Sequence, residues 1–203
     1  GAMAIAQNPG CPSKAEWFRA AQTTAHVNKA NNAGNGALMR TVYPGLYYND
    51  PKLAVANAAQ IARMTHWDKQ STEACRIYTG MIYLIINAAD KTAAWAGLSA
   101  LLENTAYRLE PQTDLRPSGY VVHSLKCALH SLAASQTFAE TIIEAANLGG
   151  DADTIAAIAG GLAGALYGYE AIPQQWLAAL APAIKGRLEL LAGKAVQNKA
   201  KTR

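Results

Sequence analysis

Asp151, Asp153 and Thr154 stand within four residues of one another, directly after Gly149-Gly150. Two carboxylates and a hydroxyl at that spacing can converge on a hard cation such as Mg²⁺ or Ca²⁺, which takes oxygen ligands. The two preceding glycines would let the backbone approach a ligand closely. The acids open a helix, so a purely structural reading also stands: Asp151 as N-cap and Asp153 as a first-turn acid, each favoured by free N–H groups and the dipole. A helix N-terminus attracts anions and opposes cations. The arrangement therefore suits a metal together with a phosphorylated ligand better than a metal alone.

A second stretch, residues 31–40, reads NNAGNGALMR. Asn35-Gly36 is a turn dipeptide, and an apolar helix start follows it. Free backbone N–H groups and the Asn35 side chain could cradle a phosphate or ribose hydroxyls. A plain loop ending in a cap remains the alternative. Residues 28–36 hold four asparagines and two glycines, which excludes a helix interior.

The elements that must position these residues are helical throughout. Ser13 and Glu16 form a capping-box pattern, and a first helix runs to about Val27. A helix from Ala37 fades near Tyr43-Pro44. Asp50-Pro51 opens the next, with Leu53, Ala56, Ala59 or Gln60, Ile61 and Met64 at helical spacing. Asp68 or Ser71 starts a helix to Asn87, with Ile77, Met81, Leu84 and Ile85 as its stripe. Further helices are predicted over residues 91–104, 120–134 and 135–147, the last with Thr137 and Glu140 in capping-box relation. Residues 107–119 read as a long loop of functional type. A helix over residues 151–169 carries Gly160, Gly164 and Gly168 on one face, which predicts close packing there and a central position. The last helix is expected from Pro173 to about Leu191, with a frayed remainder. Nothing alternates with period two, and the chain reads as all-α.

Composition agrees. Alanine accounts for 43 of the 203 residues and phenylalanine for two, which favours closely packed helices over a sheet. No uncharged apolar run reaches the roughly 18 residues of a membrane span. No signal peptide is expected, since no basic segment followed by an apolar one opens the sequence, and Gly1-Ala2 before Met3 resembles a tag scar. Cys11, Cys75 and Cys127 are widely spaced and odd in number, so neither a zinc site nor a disulfide framework is indicated, and a cytoplasmic setting is expected. The net charge is +4, and Lys199, Lys201 and Arg203 lie in the last five residues. A flexible basic tail over residues 193–203 explains that charge better than direct nucleic-acid binding does.

The chain resembles the ADP-ribosylglycohydrolase family, of the dinitrogenase reductase-activating type. The residues that carry the resemblance are Asn32-Ala33-Gly34-Asn35-Gly36-Ala37-Leu38-Met39-Arg40, Thr65-His66, Gly119-Tyr120-Val121-Val122 and Asn147-Leu148-Gly149-Gly150-Asp151-Ala152-Asp153-Thr154. They occur in family order, and the glycine-stepped helix, Ile172-Pro173 and Trp176 fit as well. The resemblance implies an all-α orthogonal multi-helix bundle over residues 4–192. It implies a binuclear Mg²⁺ (or Mn²⁺) site and hydrolysis of the N- or O-glycosidic bond joining ADP-ribose to a macromolecule. Asp151, Asp153 and Thr154 would be metal ligands, with the two acids as catalytic candidates. Asn35, Gly36, Gly149 and Gly150 would line the ADP-ribose site, and Tyr120 would flank the nucleotide with Gly119 giving backbone access. For His66, ligand contact and a structural role both stand.

Against the family pattern the chain reads as N-terminally shortened. The segment carrying a Thr-Asp-Asp-Thr-like motif, and with it half of the metal ligands, has no counterpart here. Thr113-Asp114 is the nearest pattern, and His123 stands where family members often place Asp. One or no metal ion is then expected. Three readings stay open: a fragment of a longer enzyme, a short homologue that still binds ADP-ribose, or a binding or immunity protein against an ADP-ribosyltransferase toxin.

Overall fold

The computed structural model describes residues 12–27 and 33–200. The expectations for residues 1–3, Cys11, residues 28–32 and residues 201–203 lie outside it. Among the described residues ten α-helices form the chain: α1 (Lys14–Val27), α2 (Val42–Tyr47), α3 (Pro51–Arg63), α4 (Lys69–Asn87), α5 (Lys91–Leu102), α6 (Val121–Ala133), α7 (Phe138–Asn147), α8 (Ala152–Tyr167), α9 (Gln174–Ala179) and α10 (Pro182–Ala200). Short 3-10 turns lie at Leu38–Arg40 and Tyr169–Ala171. The described chain holds no strand; an isolated antiparallel bridge pairs Gly34 with Tyr120.

Local chemistry sets the helix starts. Glu16 accepts from the Ser13 backbone N–H at 2.7 Å, and the Ser13 hydroxyl accepts from the Glu16 N–H. Asp50, Asp68 and Asp90 each cap the helix that follows, taking the N–H of Lys52, Ser71 and Ala93. Thr137 and Glu140 complete a reciprocal box before α7. Each such cap stabilises its helix by about 1 kcal/mol. Asp90 thus starts α5, in line with the helix expected from residue 91. Pro44 sits inside the first turn of α2, where its missing N–H would have had no intrahelical partner.

Helix α4 runs through the middle of the molecule and packs against α2, α3, α5, α6 and α8. Its buried residues, among them Cys75, Tyr78, Met81, Ile82 and Ile85, occupy most of its circumference. The centre is therefore α4, and the glycine-stepped α8 lies beside it, between α4, α6 and α7. The closest approach on α8 is at Gly161, beside the predicted Gly160, Gly164, Gly168 face. The Tyr78 hydroxyl donates to the Ile158 carbonyl at 3.0 Å directly over Gly161, where a Cβ would stand 2.0 Å from the hydroxyl oxygen. On that face a Cβ on Gly160 would stand 3.1 Å from Ile142, a tight contact, and one on Gly164 would stand 3.9 Å from Phe138, an ordinary one; Gly168 ends the helix with φ +83°.

Two further expectations change. Helix α3 buries Ala54, Ala58, Ala59 and Ala62 against α4, while Leu53 is half exposed. Small side chains let the two axes approach, so the alanine face wins over the larger residues. The C-terminal segment is two helices, because the residue before Pro182 is biased out of helical conformation and Leu180 is extended. Helix α10 then continues to Ala200, beyond the expected end near Leu191, held by Asn198 donating to the Tyr47 carbonyl and Asn49 donating to the Lys199 carbonyl. No helix among the described residues is long and apolar enough to cross a membrane.

Candidate functional site

The loop at residues 33–36 is pinned between the starts of α4 and α6. The Asn35 N–H donates to the Gly119 carbonyl at 3.0 Å, and the Val121 N–H donates to the Ala33 carbonyl at 2.9 Å. The Ser71 hydroxyl donates to the Gly34 carbonyl at 3.1 Å. These bonds create the Gly34–Tyr120 bridge and set the Asn35 side chain inward, where it is 8% exposed. Its Nδ2 donates to Ser124 Oγ at 2.7 Å and to Asp151 Oδ2 at 2.6 Å. The Ser124 hydroxyl in turn reaches the Ser118 carbonyl at 2.7 Å.

Asp151 thus occupies the N-cap position of α8 without capping it: its side chain accepts no bond from the helix N–H groups. It is aimed instead at the Asn35 amide. That bond is the main reason its carboxyl lies below the usual carboxylate range; burial opposes the shift, and the Thr154 and Asp153 side chains add to it. Asp153 is exposed, and its Oδ1 accepts the Thr154 N–H at 2.8 Å. Thr154 is buried. Gly149 and Gly150 both have positive φ, 76° and 59°. Gly149 faces open space, whereas a Cβ on Gly150 would stand 2.0 Å from the Pro117 carbonyl oxygen. Gly150 is therefore required for the 107–119 loop to lie against the start of α8.

The other candidate residues gather around the same point. A Cβ on Gly119 would stand 3.7 Å from Asp151 Oδ2. Tyr120 meets the His123 ring edge-on, with centroids 4.8 Å apart, and His123 Nδ1 lies 3.0 Å from Ser118 Oγ. The His66 ring covers the loop, with its Nε2 2.9 Å from where a Cβ of Gly34 would be and its Cε1 3.3 Å from that of Gly36. Burial and the nearby Arg40 guanidinium hold His66 below the usual imidazole range, against a smaller opposing effect of Asp68. Ser71 and Ser124, which lock the loop, are not marked as site residues by the sequence: Ser71 reads there only as a possible helix start, and buried hydroxyls recur along α4 and α6 at Thr72, Thr79 and Ser131.

For a metal, the first turn of α8 offers two carboxylates and a hydroxyl, an all-oxygen set of the kind hard cations prefer. Among the described residues no group of three or more His, Cys, Asp or Glu is arranged to hold a metal ion. The donors fit part of a coordination shell.

The sequence matches the family profile described as ADP-ribosylglycohydrolase over residues 3–203. The chain belongs to the ADP-ribosylglycohydrolase family. It is 33% identical over 156 residues to a Pseudomonas putida protein named ADP-ribosylarginine hydrolase Tri1, covering 72% of this chain and 42% of that one. It is 33% identical over 160 residues to the ADP-ribosyl-[dinitrogen reductase] glycohydrolase of Rhodospirillum rubrum, covering 78% and 54%. The chain thus spans about half the length of these curated relatives. A solved structure titled ADP-ribosylglycohydrolase-related protein complex superposes with a TM-score of 0.70 at 28% identity, over 91% of this chain and 72% of that one. The all-α fold expected of the family is the fold observed, and the family is in general one of metal-dependent hydrolases.

Proposed function

We propose that this chain binds ADP-ribose carried on a modified macromolecule and takes part in its hydrolytic removal. The observation that carries this reading is the hydrogen bond between Asn35 and Asp151, which joins the two motifs most suited to phosphate and metal chemistry. Asn35, Gly36 and the loop around them would receive the diphosphate or ribose, beside Gly119, Tyr120 and His66. Gly149 would offer open backbone on the other side.

Asp151, Asp153 and Thr154 would hold Mg²⁺ or Mn²⁺, and the ion would supply Lewis-acid stabilisation of ligand oxygens. The chain's own contribution is orientation. Asn35 keeps the Asp151 carboxylate ionised and fixed in direction, so it can take a proton from an attacking water or anchor the ribose hydroxyls. Hydrolysis breaks the bond between the anomeric carbon and the side-chain atom of the target, placing the water hydroxyl on carbon and its proton on the leaving atom. ADP-ribosylarginine is the first substrate to test, because the named relatives at this level of identity include ADP-ribosylarginine hydrolases. A cytoplasmic setting rests on the unpaired, buried Cys75 and Cys127. The alternative, an immunity protein against an ADP-ribosyltransferase toxin, gains no support from relatives named as hydrolases.

The test is Mg²⁺-dependent release of ADP-ribose from ADP-ribosylarginine, with calorimetric titration of ADP-ribose with and without Mg²⁺. Asp151→Ala and Asp153→Ala should abolish release. Unchanged turnover in both variants would overturn the reading.

A further inference from the structure

His66 is held from behind. Arg40 extends from the 3-10 turn and donates to the Gly36 carbonyl at 3.2 Å and to the Ile61 carbonyl at 3.1 Å. Its Nη2 also donates to the Thr65 hydroxyl. That hydroxyl lies 2.8 Å from His66 Nδ1. A hydroxyl has one proton to give, and the guanidinium occupies one of its acceptor sites. The recorded partners of Thr65 Oγ1 are Arg40 and His66, so the acceptor available for its proton is Nδ1. Acceptance from a cation also strengthens the hydroxyl as a donor.

The consequence lies at the other end of the ring. An imidazole that accepts at Nδ1 carries its proton on Nε2. Nε2 is the atom laid against the Gly34 to Gly36 loop, and among the described residues it has no hydrogen-bond partner. We propose that Arg40 and Thr65 are positioning residues that lock His66 as the Nε2–H tautomer, so that Nε2 donates a hydrogen bond to an acceptor oxygen of ADP-ribose bound on the 33–36 loop. Burial and Arg40 both disfavour the imidazolium, so the ring is neutral at neutral pH and acts as a donor without adding charge. The same Arg40 ties the loop carbonyl of Gly36 to the end of α3. Loop and ring are therefore registered to each other through one guanidinium.

The clause concerning ADP-ribose rests on the proposed function; the tautomer does not. The experiment has two arms on the 203-residue chain. First, side-chain ¹⁵N NMR of His66 without ligand should show a protonated Nε2 and an unprotonated Nδ1. Thr65→Val should give a mixture of tautomers, and Thr65→Ser should restore the single form. Second, ADP-ribose titration should show about tenfold weaker binding in Thr65→Val, the scale of one lost hydrogen bond, with recovery in Thr65→Ser. A wild-type spectrum with the proton on Nδ1 overturns the relay whatever the chain binds. A pure Nε2–H form in Thr65→Val removes the positioning role. Unchanged affinity in a Thr65→Val protein with mixed tautomers removes the ligand clause. Absence of any ADP-ribose binding by the wild type overturns the proposed function and the ligand clause together, while the spectrum still decides the tautomer.

Discussion

Asn35 donates from its side-chain amide to the Asp151 carboxylate at 2.6 Å, although the two residues lie 116 positions apart. The second amide proton goes to Ser124 at 2.7 Å, so Nδ2 is fully committed. One buried amide therefore orients the acid at the start of α8 and ties it to the start of α6. The loop that carries Asn35 is itself held by backbone bonds to Gly119 and Val121. The site is a junction of three segments, and its rigidity depends on this residue.

Asn35→Ala should lower stability by about 1–2 kcal/mol, since it leaves Ser124 and Asp151 without their shared donor. Urea unfolding measures this. Asn35→Asp should be worse at neutral pH, because it sets a second carboxylate against Asp151.

The Asp151 carboxyl lies below its ordinary value in the folded protein, chiefly through Asn35. The unfolded chain then binds more protons than the native state in the window between the two values. The stabilisation this provides is complete above the ordinary carboxylate range and is lost as pH falls through the folded value. The stability gap between wild type and Asn35→Ala should accordingly be widest near neutrality and narrow as the pH falls below the ordinary carboxylate range. NMR titration of the Asp151 carboxyl in both proteins checks the direction: the variant should titrate at higher pH.

Gly161→Ala should destabilise by about 1–3 kcal/mol, because the new methyl meets a buried, hydrogen-bonded phenol with no room to move. Gly164→Ala places its methyl 3.9 Å from Phe138, an ordinary contact, and should be neutral or stabilising by up to about 1 kcal/mol through helix propensity. Tyr78→Phe should recover part of the Gly161→Ala loss, so the pair should be non-additive. Thermal unfolding of the wild type and these four variants distinguishes the outcomes.

Gly149→Ala should cost about 1–2 kcal/mol, the price of a positive φ with open space around the methyl. Gly150→Ala adds a collision with the Pro117 carbonyl and should cost clearly more. Because the collision pushes the 107–119 loop from the start of α8, it should also weaken ADP-ribose binding in calorimetry, whereas a fold-preserving Gly164→Ala should leave binding unchanged.

Much of the fold is legible in the sequence because its signals are local. A capping acid or hydroxyl bonds an N–H two or three residues away, so Ser13, Asp50, Asp68 and Thr137 announce their helices. The acid-rich start of α8 and the Asn35-Gly36 turn are likewise readable as candidate chemistry from residue type and spacing. Which face of α3 is buried is not readable, because alanine and leucine positions compete and the neighbouring helix decides. The tight glycine on α8 is Gly161 because Tyr78, from another helix, happens to lie over it.

By itself, the sequence determined the all-α class, most helix boundaries and the motifs that carry the family resemblance. Only the tertiary structure decided that Asp151 turns from its own helix to Asn35, that Ser71 and Ser124 lock the loop, and that Arg40 and Thr65 stand behind His66. The physical reason is range. Caps and periodicities act within a turn or two of chain, whereas a side-chain hydrogen bond between distant segments exists only after packing has brought its donor and acceptor together.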